Sequence, residues 1–359
     1  MRKFTKFLAP VLAAALLAGC AGTAVIRVET PESASSSPAA SSSPSSSSQE
    51  QGAADGVLKT GLAVSTGLSS SKDAGDEAGL AQADVTYAAV TVDESGVIRS
   101  CKLDSVQVQI NFDASGAVMT PADAEFLTKN ELGDEYGMKK ASGIGKEWYE
   151  QAEAFCEYAV GKTAEELRGM AVNEKGAPAD ADIASSVTVS VGGFIDVVAR
   201  AAESASVTGA SEGDELRLVS TSSAASSKSA GEQEGLAQAD VSIAAVTWNG
   251  DTVTSCVFDA VQAKVNFDAS GAITTDVSQP VQSKNELGDG YGMKEYSGIG
   301  KEWYEQAAAF AAYAQGKTLD EITGIAVNEK GAPADADIAS SVTISVGGFT
   351  ALLEKAGQA

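Results

Sequence analysis

The chain has 359 residues, with 25 Lys+Arg against 49 Asp+Glu, no His, and a formal net charge of −24. A field of that sign repels phosphate backbones and excludes nucleic acid as a partner. The missing histidine removes the usual general base near neutral pH and the commonest metal ligand. No cysteine spacing fits a zinc site, so no metal is expected.

At the N-terminus, Arg2, Lys3 and Lys6 precede a short apolar run, Phe7 to Leu17, that closes on Ala18-Gly19-Cys20. The run is shorter than the about 20 residues needed to span a bilayer. A charged start, a short apolar stretch and small residues at the cut describe a signal peptide over residues 1–19. The pattern resembles a bacterial lipoprotein signal. That resemblance implies cleavage before Cys20, a diacylglyceryl thioether on its sulfur, and anchorage in membrane lipid on the extracytoplasmic face. Residues 20–56 include the tract SASSSPAASSSPSSSSQEQGAAD, which has too few apolar side chains to offset the entropy of ordering and is expected to be a disordered tether.

Self-comparison shows a duplication. SGIGKEWYEQA at 142 recurs at 297, NEKGAPADADIASSVT at 173 recurs at 328, and NFDASGA at 111 recurs at 266. A period this long means two domains, not a solenoid. The expected division is copy 1 over 57–204, a linker over 205–212, and copy 2 over 213–359. About 145 residues per copy suffice for an independent core. Cys101 and Cys256 share one repeat position, and Cys156 has Ala311 as its counterpart. The fold therefore does not require a disulfide, and these thiols read as small buried apolar residues.

In chain order, Leu58 to Ser65 reads as a strand, as do the β-branched stretch Asp84 to Val92 and the run Val97 to Phe112, with turns at Asp93 to Gly96 and at Gly116. Trp148, Ala152, Phe155 and Ala159 recur at helical spacing until Gly161. Thr163 with Glu166 is a capping box, repeated by Thr318 and Glu321. A last helix is expected over Ser186 to Ala201, with Val187, Val191, Phe194 and Val198 on one side. The fold class is α+β: two tandem copies of a small antiparallel-sheet domain with helices packed on one face.

The segment that carries chemistry is Asp182-Ile183-Ala184-Ser185-Ser186-Val187-Thr188-Val189-Ser190, repeated at Asp337 to Ser345. Polar residues precede an apolar helical pattern, and unpaired N–H groups at a helix start suit an anion, although plain N-capping fits too. The segment resembles the modification motif of the FMN-binding domain family, found in subunits of sodium-pumping and Rnf-type complexes and in surface electron-transfer lipoproteins. That motif runs Asp, two variable residues, Ser or Thr, Gly, Ala, Thr, and a separate transferase esterifies its last threonine to the FMN phosphate. The resemblance implies Thr188 and Thr343 as acceptors, Asp182 and Asp337 at the motif start, and Ser185 and Ser340 at its fourth position. Ser186 and Ser341 stand where the family has Gly, and Val187 and Val342 where it has Ala. The resemblance covers each copy loosely, and the short motif is its specific part.

Other patterns are weaker. Gly143-Ile144-Gly145-Lys146 lacks the Ser or Thr that follows the Lys of a phosphate loop. Asp113-Ala114-Ser115-Gly116 is a turn, not a calcium loop. Trp148 and Tyr149, with Trp303 and Tyr304, suit either flavin stacking or the core. The sequence thus points to a membrane-anchored lipoprotein with two FMN-binding-like domains carrying electrons. A membrane redox enzyme and a flavin transferase would be its partners. The alternative is a non-redox envelope module that kept the fold and lost the flavin. No hydrolase arrangement stands out, so a non-catalytic carrier or binding protein is expected.

Overall fold

The computed structural model describes residues 56–358. The signal peptide, Cys20 and all but the last residue of the tether lie outside the described residues. The described residues fall in one compact unit, Ala53–Ala359.

The first half builds a meander. Strand β1 (Leu58–Gly67) pairs antiparallel with β2 (Gly79–Val92), and β2 with β3 (Ile98–Phe112). The β2–β3 turn forms because the Asp93 carboxylate accepts from Ser95 and Val97 N–H while Gly96 takes φ 78°. Then come α1 (Lys129–Leu132), α2 (Trp148–Ala159), α3 (Ala164–Arg168), α4 (Ala181–Ala184) and α5 (Gly192–Ser204). The helix read from the Trp148 spacing matches α2, and Trp148, Ala152, Phe155 and Ala159 are all buried. Gly161 ends it at φ 84°, donating to Ile98 O at 2.8 Å and so tying the helix end to β3. The Thr163 capping box forms as read.

The same order of elements returns as β5 (Glu215–Ser223), β6 (Gly235–Asn249), β7 (Thr252–Phe267), α6 (Lys284–Leu287), α7 (Trp303–Ala314), α8 (Leu319–Thr323), α9 (Ala336–Ala339) and α10 (Gly347–Gln358). Between the halves, Val207–Ala210 is strand β4. It pairs with β1 and completes a sheet of order β3-β2-β1-β4 beside a second sheet of order β5-β6-β7. The segment expected as a linker over 205–212 therefore contributes its middle, Val207–Ala210, to the first sheet.

The architecture is α+β, with antiparallel sheets and helices on one face of each. The other face of each sheet is not solvated. Ala81, Ala83, Val85, Tyr87 and Ala89 point to one side of β2 and join Ala237, Ala239, Val241, Ile243 and Ala245 of β6 in one buried cluster. Ala88, Val90 and Val92 point to the other side of β2 and meet α2 and α5. The layers thus run helix, sheet, sheet, helix. Each half has its own helix-on-sheet core, and the two halves share a further sheet-on-sheet core that length alone does not reveal. Alternate side chains point to opposite faces of a strand, and in β2 both faces are apolar over Tyr87–Val90, while Gln82, Asp84 and Thr86 interrupt the run nearer its start.

Contacts between the halves are reciprocal. Arg200 on α5 pairs with Glu286 and donates to Val64 O, while its counterpart Lys355 pairs with Glu131 and donates to Ser220 O. Ala74 N donates to Gly271 O at 2.8 Å, and Ala230 N donates to Gly116 O at 2.7 Å. Gly116 and Gly271 both have positive φ, and a Cβ on either would meet an alanine Cβ of the other half at 2.6 Å. Such exchange of equivalent contacts is the signature of an isologous, two-fold interface.

Candidate functional site

The repeated segment Asn173 to Thr188 folds as a turn, a short helix and a loop. Asn173 Oδ1 accepts from Lys175 and Ala177 N–H, and Gly176 at φ 75° leaves room that a Cβ would lose against Ser190 Oγ at 2.6 Å. Asp180, not Asp182, caps α4, its carboxylate accepting from Asp182 N–H at 3.1 Å. Ile183 and Val187 are buried against α2 and α5, and this pins the segment to the domain. Val187 therefore turns inward and does not stand over Thr188.

The predicted helix over Ser186 to Ala201 is corrected by the structure. Helix α5 starts at Gly192, and residues 185–191 form a loop whose last member, Val191, donates to Gly176 O at 2.9 Å. Val187 and Val191 imitate helical spacing because both ends of the loop are anchored in the core. The Gly192-Gly193 pair opens α5, where weak helix formers cost little. Thr188 consequently sits on a loop before the helix, away from its exposed amides.

Gln151 holds that loop. Its side chain is fully buried, and Oε1 accepts from Thr188 N–H at 2.8 Å, Val189 N–H at 3.2 Å and Thr188 Oγ1 at 3.4 Å. Its Nε2 donates to Ser142 Oγ at 3.2 Å and Lys146 O at 3.3 Å, so the loop carrying Gly143 and Gly145 is tied to the loop carrying Thr188. Gln306 repeats the arrangement on Thr343, Ile344, Ser297 and Lys301. Buried Glu147 closes the glycine-bearing loop by accepting from Met138 N–H at 2.7 Å and Lys139 N–H at 2.9 Å, as Glu302 does for Met293 and Lys294.

The structure places three of the six residues read from the motif at the surface of each half. Asp182, Ser185 and Thr188 are exposed, as are Asp337, Ser340 and Thr343. Nothing bonds Asp182 or Ser185 to Thr188; the residue that organises the threonine is Gln151, which the sequence reading passed over. Its signal was the verbatim recurrence of SGIGKEWYEQA. The aromatics resolve toward the core: Trp148 is buried edge-on to Phe194 at 5.5 Å, with Lys129 Nζ 5.0 Å from its ring. Lys284 covers Trp303 at 4.8 Å.

A groove of about 520 Å³ lies elsewhere, between β3 and α2, lined by Arg99, Cys101, Lys102, Tyr149, Cys156 and Glu157 among others. Cys101 and Cys156 are buried, as read, and they also face each other with their sulfurs 3.2 Å apart. Between the halves, Asp104 and Asp259 sit in matching polar pockets, where burial lifts each carboxyl to about 6 against the hydrogen bonds that Thr128 or Ser283 and neighbouring amides supply. Among the described residues no cluster of His, Cys, Asp or Glu could hold a metal ion, and no helix is long and apolar enough to cross a membrane.

No protein-family model matches the chain, and no solved structure matches it. The chain is similar to a Desulfitobacterium hafniense protein described as chlorophenol reductase, at 33% identity over 95 residues. The match covers 23% of this chain and 29% of that protein, so the chain spans under a third of that relative's length.

Proposed function

We propose that the chain is an extracytoplasmic lipoprotein, anchored through Cys20, whose halves are tandem copies of an FMN-binding-like domain that carries electrons. The observation behind this reading is the placement of Thr188 and Thr343. Both side chains are exposed, both lie on a loop whose backbone is fixed by a buried glutamine, and both stand seven residues from the start of the repeated motif's Ala181 and Ala336 helices.

Those residues fit an ester-linked group better than an amide cradle. The threonine side chains are exposed and the inward-turned Val187 and Val342 leave them uncovered, so a transferase reaches each hydroxyl by displacing its hydrogen bond to the buried glutamine. The Thr188 and Val189 amides already donate to Gln151, so a phosphate would be held by the covalent bond and not by those N–H groups. FMN, when bound, supplies the redox chemistry. The protein's own part is to fix the threonine, whose hydroxyl donates to the buried Gln151 oxygen, and to present exposed Asp182 and Ser185 on the same segment. The similarity to a protein described as a reductase is in keeping with a redox role. A membrane redox enzyme and a flavin transferase are the partners this reading requires.

The test is the colour of protein isolated from its native host. Yellow protein that keeps flavin absorbance after denaturation supports the reading, and colourless protein opposes it. One observation favours a second reading, a non-redox envelope binding module. In both halves the glutamine oxygen fills the place an anion would take at the loop amides. On that reading Thr188→Val with Thr343→Val leaves ligand binding unchanged.

A further inference from the structure

Cys101 lies on β3 opposite Val90, and Cys156 lies on α2, in the layer where helix packs on sheet. Their sulfurs are 3.2 Å apart. Non-bonded carbon atoms pack best at about 3.5–4.0 Å, and sulfur is larger, so this contact is closer than packing alone favours. A disulfide needs sulfurs at about 2.05 Å, within reach of a small rotation of either side chain.

The second half shows what the core requires at these positions. Cys256 is buried without a sulfur partner, and the place of Cys156 is taken by Ala311, also buried. An alanine therefore satisfies packing against the sheet. The thiol at Cys156 adds only what its sulfur does, and its sulfur faces Cys101. The contact with Cys156, and after it burial, push the Cys101 thiol well above the ordinary cysteine range, so exchange at this site is slow and favoured at alkaline pH. Both residues line the β3–α2 groove, beside Arg99 and Lys102 on the strand and Glu153 and Glu157 on the helix. The groove gives a small disulfide a path to the sulfurs.

We propose that Cys101 and Cys156 are a redox site, closing a reversible disulfide that clamps α2 to β3 in the first half only. The reaction is thiol–disulfide exchange with a small external disulfide. One cysteine loses its proton to solvent, attacks a sulfur of the reagent and displaces the first thiolate, leaving a mixed disulfide on the protein. The second cysteine, also deprotonated, attacks the protein-bound sulfur and displaces the other thiolate. Two protein thiols are oxidised, one external disulfide is reduced to two thiols, and the released protons reprotonate the leaving groups. The bond fixes the helix that carries Gln151, and with it the loop bearing Thr188, while the second half stays unclamped. The site stands whether or not the threonines carry flavin.

The experiment uses the full chain, incubated with oxidised glutathione or with dithiothreitol, then alkylated under denaturing conditions and mapped by peptide mass. The expected result is a Cys101–Cys156 cross-linked peptide after oxidation, a free Cys256, and recovery of both thiols on reduction. The oxidised protein should unfold about 5 °C or more higher than the reduced protein. Cys156→Ala, which copies the residue of the second half, should fold with an unchanged circular dichroism spectrum and lose the oxidation-dependent shift. Alkylated Cys101 and Cys156 after oxidation, or Cys101 joined to Cys256, would overturn the proposal. A cross-link that forms equally in denatured protein and leaves the unfolding temperature unchanged would overturn it too.

Discussion

Phe112 stacks on Phe267, its own counterpart in the other half, with ring centroids 4.1 Å apart and planes within 7°. Equivalent residues meet face to face only where a two-fold relation places them on its axis. The halves are therefore joined at their sheets through equivalent residues, and the rings also explain two glycines. A Cβ at Gly79 or Gly235 would meet the ring of Phe112 or Phe267 at 2.4 or 2.3 Å.

Phe112→Ala is expected to cost about 3–5 kcal/mol, the range for a large core aromatic. Phe267→Ala should cost a similar amount. The double variant should cost less than the sum, because each single change already removes the shared stack. Urea unfolding of the four proteins measures this. Additive losses would show that the rings do not depend on each other.

The reciprocal ion pairs contribute far less. Arg200 and Glu286 are about a third exposed, as are Lys355 and Glu131. A double-mutant cycle on either pair should give about 0.2–1 kcal/mol, shrinking as salt rises. Replacing Arg200 should cost more than replacing Glu286, since Arg200 also donates to Val64 O at 2.8 Å.

Asp104 and Asp259 give a pH signature. Each folded carboxyl titrates at about 6, above the ordinary Asp value, chiefly because burial penalises its charge. Between about pH 4 and 6 the folded chain binds more protons than the unfolded one. Stability from these groups is thus full below about pH 4 and is lost as pH rises through 6. Asp104→Asn with Asp259→Asn should flatten that loss, which is on the order of 2–3 kcal/mol per group. Carboxylates held low, such as Asp93, act in the opposite direction at more acid pH. The check is therefore the wild-type minus variant difference from pH 4 to 8. A difference that does not change over that range would contradict the assignment.

Gln151→Ala should leave the Thr188 and Val189 amides without their acceptor and free the loop. The expected cost is about 1–3 kcal/mol, with faster proteolysis between 185 and 191. Gln306→Ala should do the same between 340 and 346. Limited proteolysis with mapped cut sites reads both effects, and unchanged cutting would show that the glutamines do not hold the loops.

Local signals in the sequence carried well into the structure. The Asp93 to Gly96 turn, the Thr163 capping box and the Trp148 face of α2 each depend on a few neighbouring residues, so spacing alone finds them. The sheet-on-sheet core was present but unread. The apolar run Tyr87 to Val90 marks the part of β2 covered on both faces, while Gln82, Asp84 and Thr86 earlier in the strand imitate a half-solvated one, and nothing local says that the second cover is another sheet. Thr188 was placed at a helix start because Val187 and Val191 are four apart, while the true start at Gly192 is fixed by tertiary anchoring of the loop. The link from Gln151 to Thr188 spans 37 residues, and the Cys101–Cys156 contact spans 55. Neither separation leaves a periodic trace.

The most direct measurement is the mass of the peptides containing Thr188 and Thr343 from protein made in its native host. The flavin-carrier account predicts that each is heavier than its sequence by one FMN less one water, and that Thr188→Val abolishes the increment on its own peptide while sparing the other. Both peptides at their unmodified masses would contradict it.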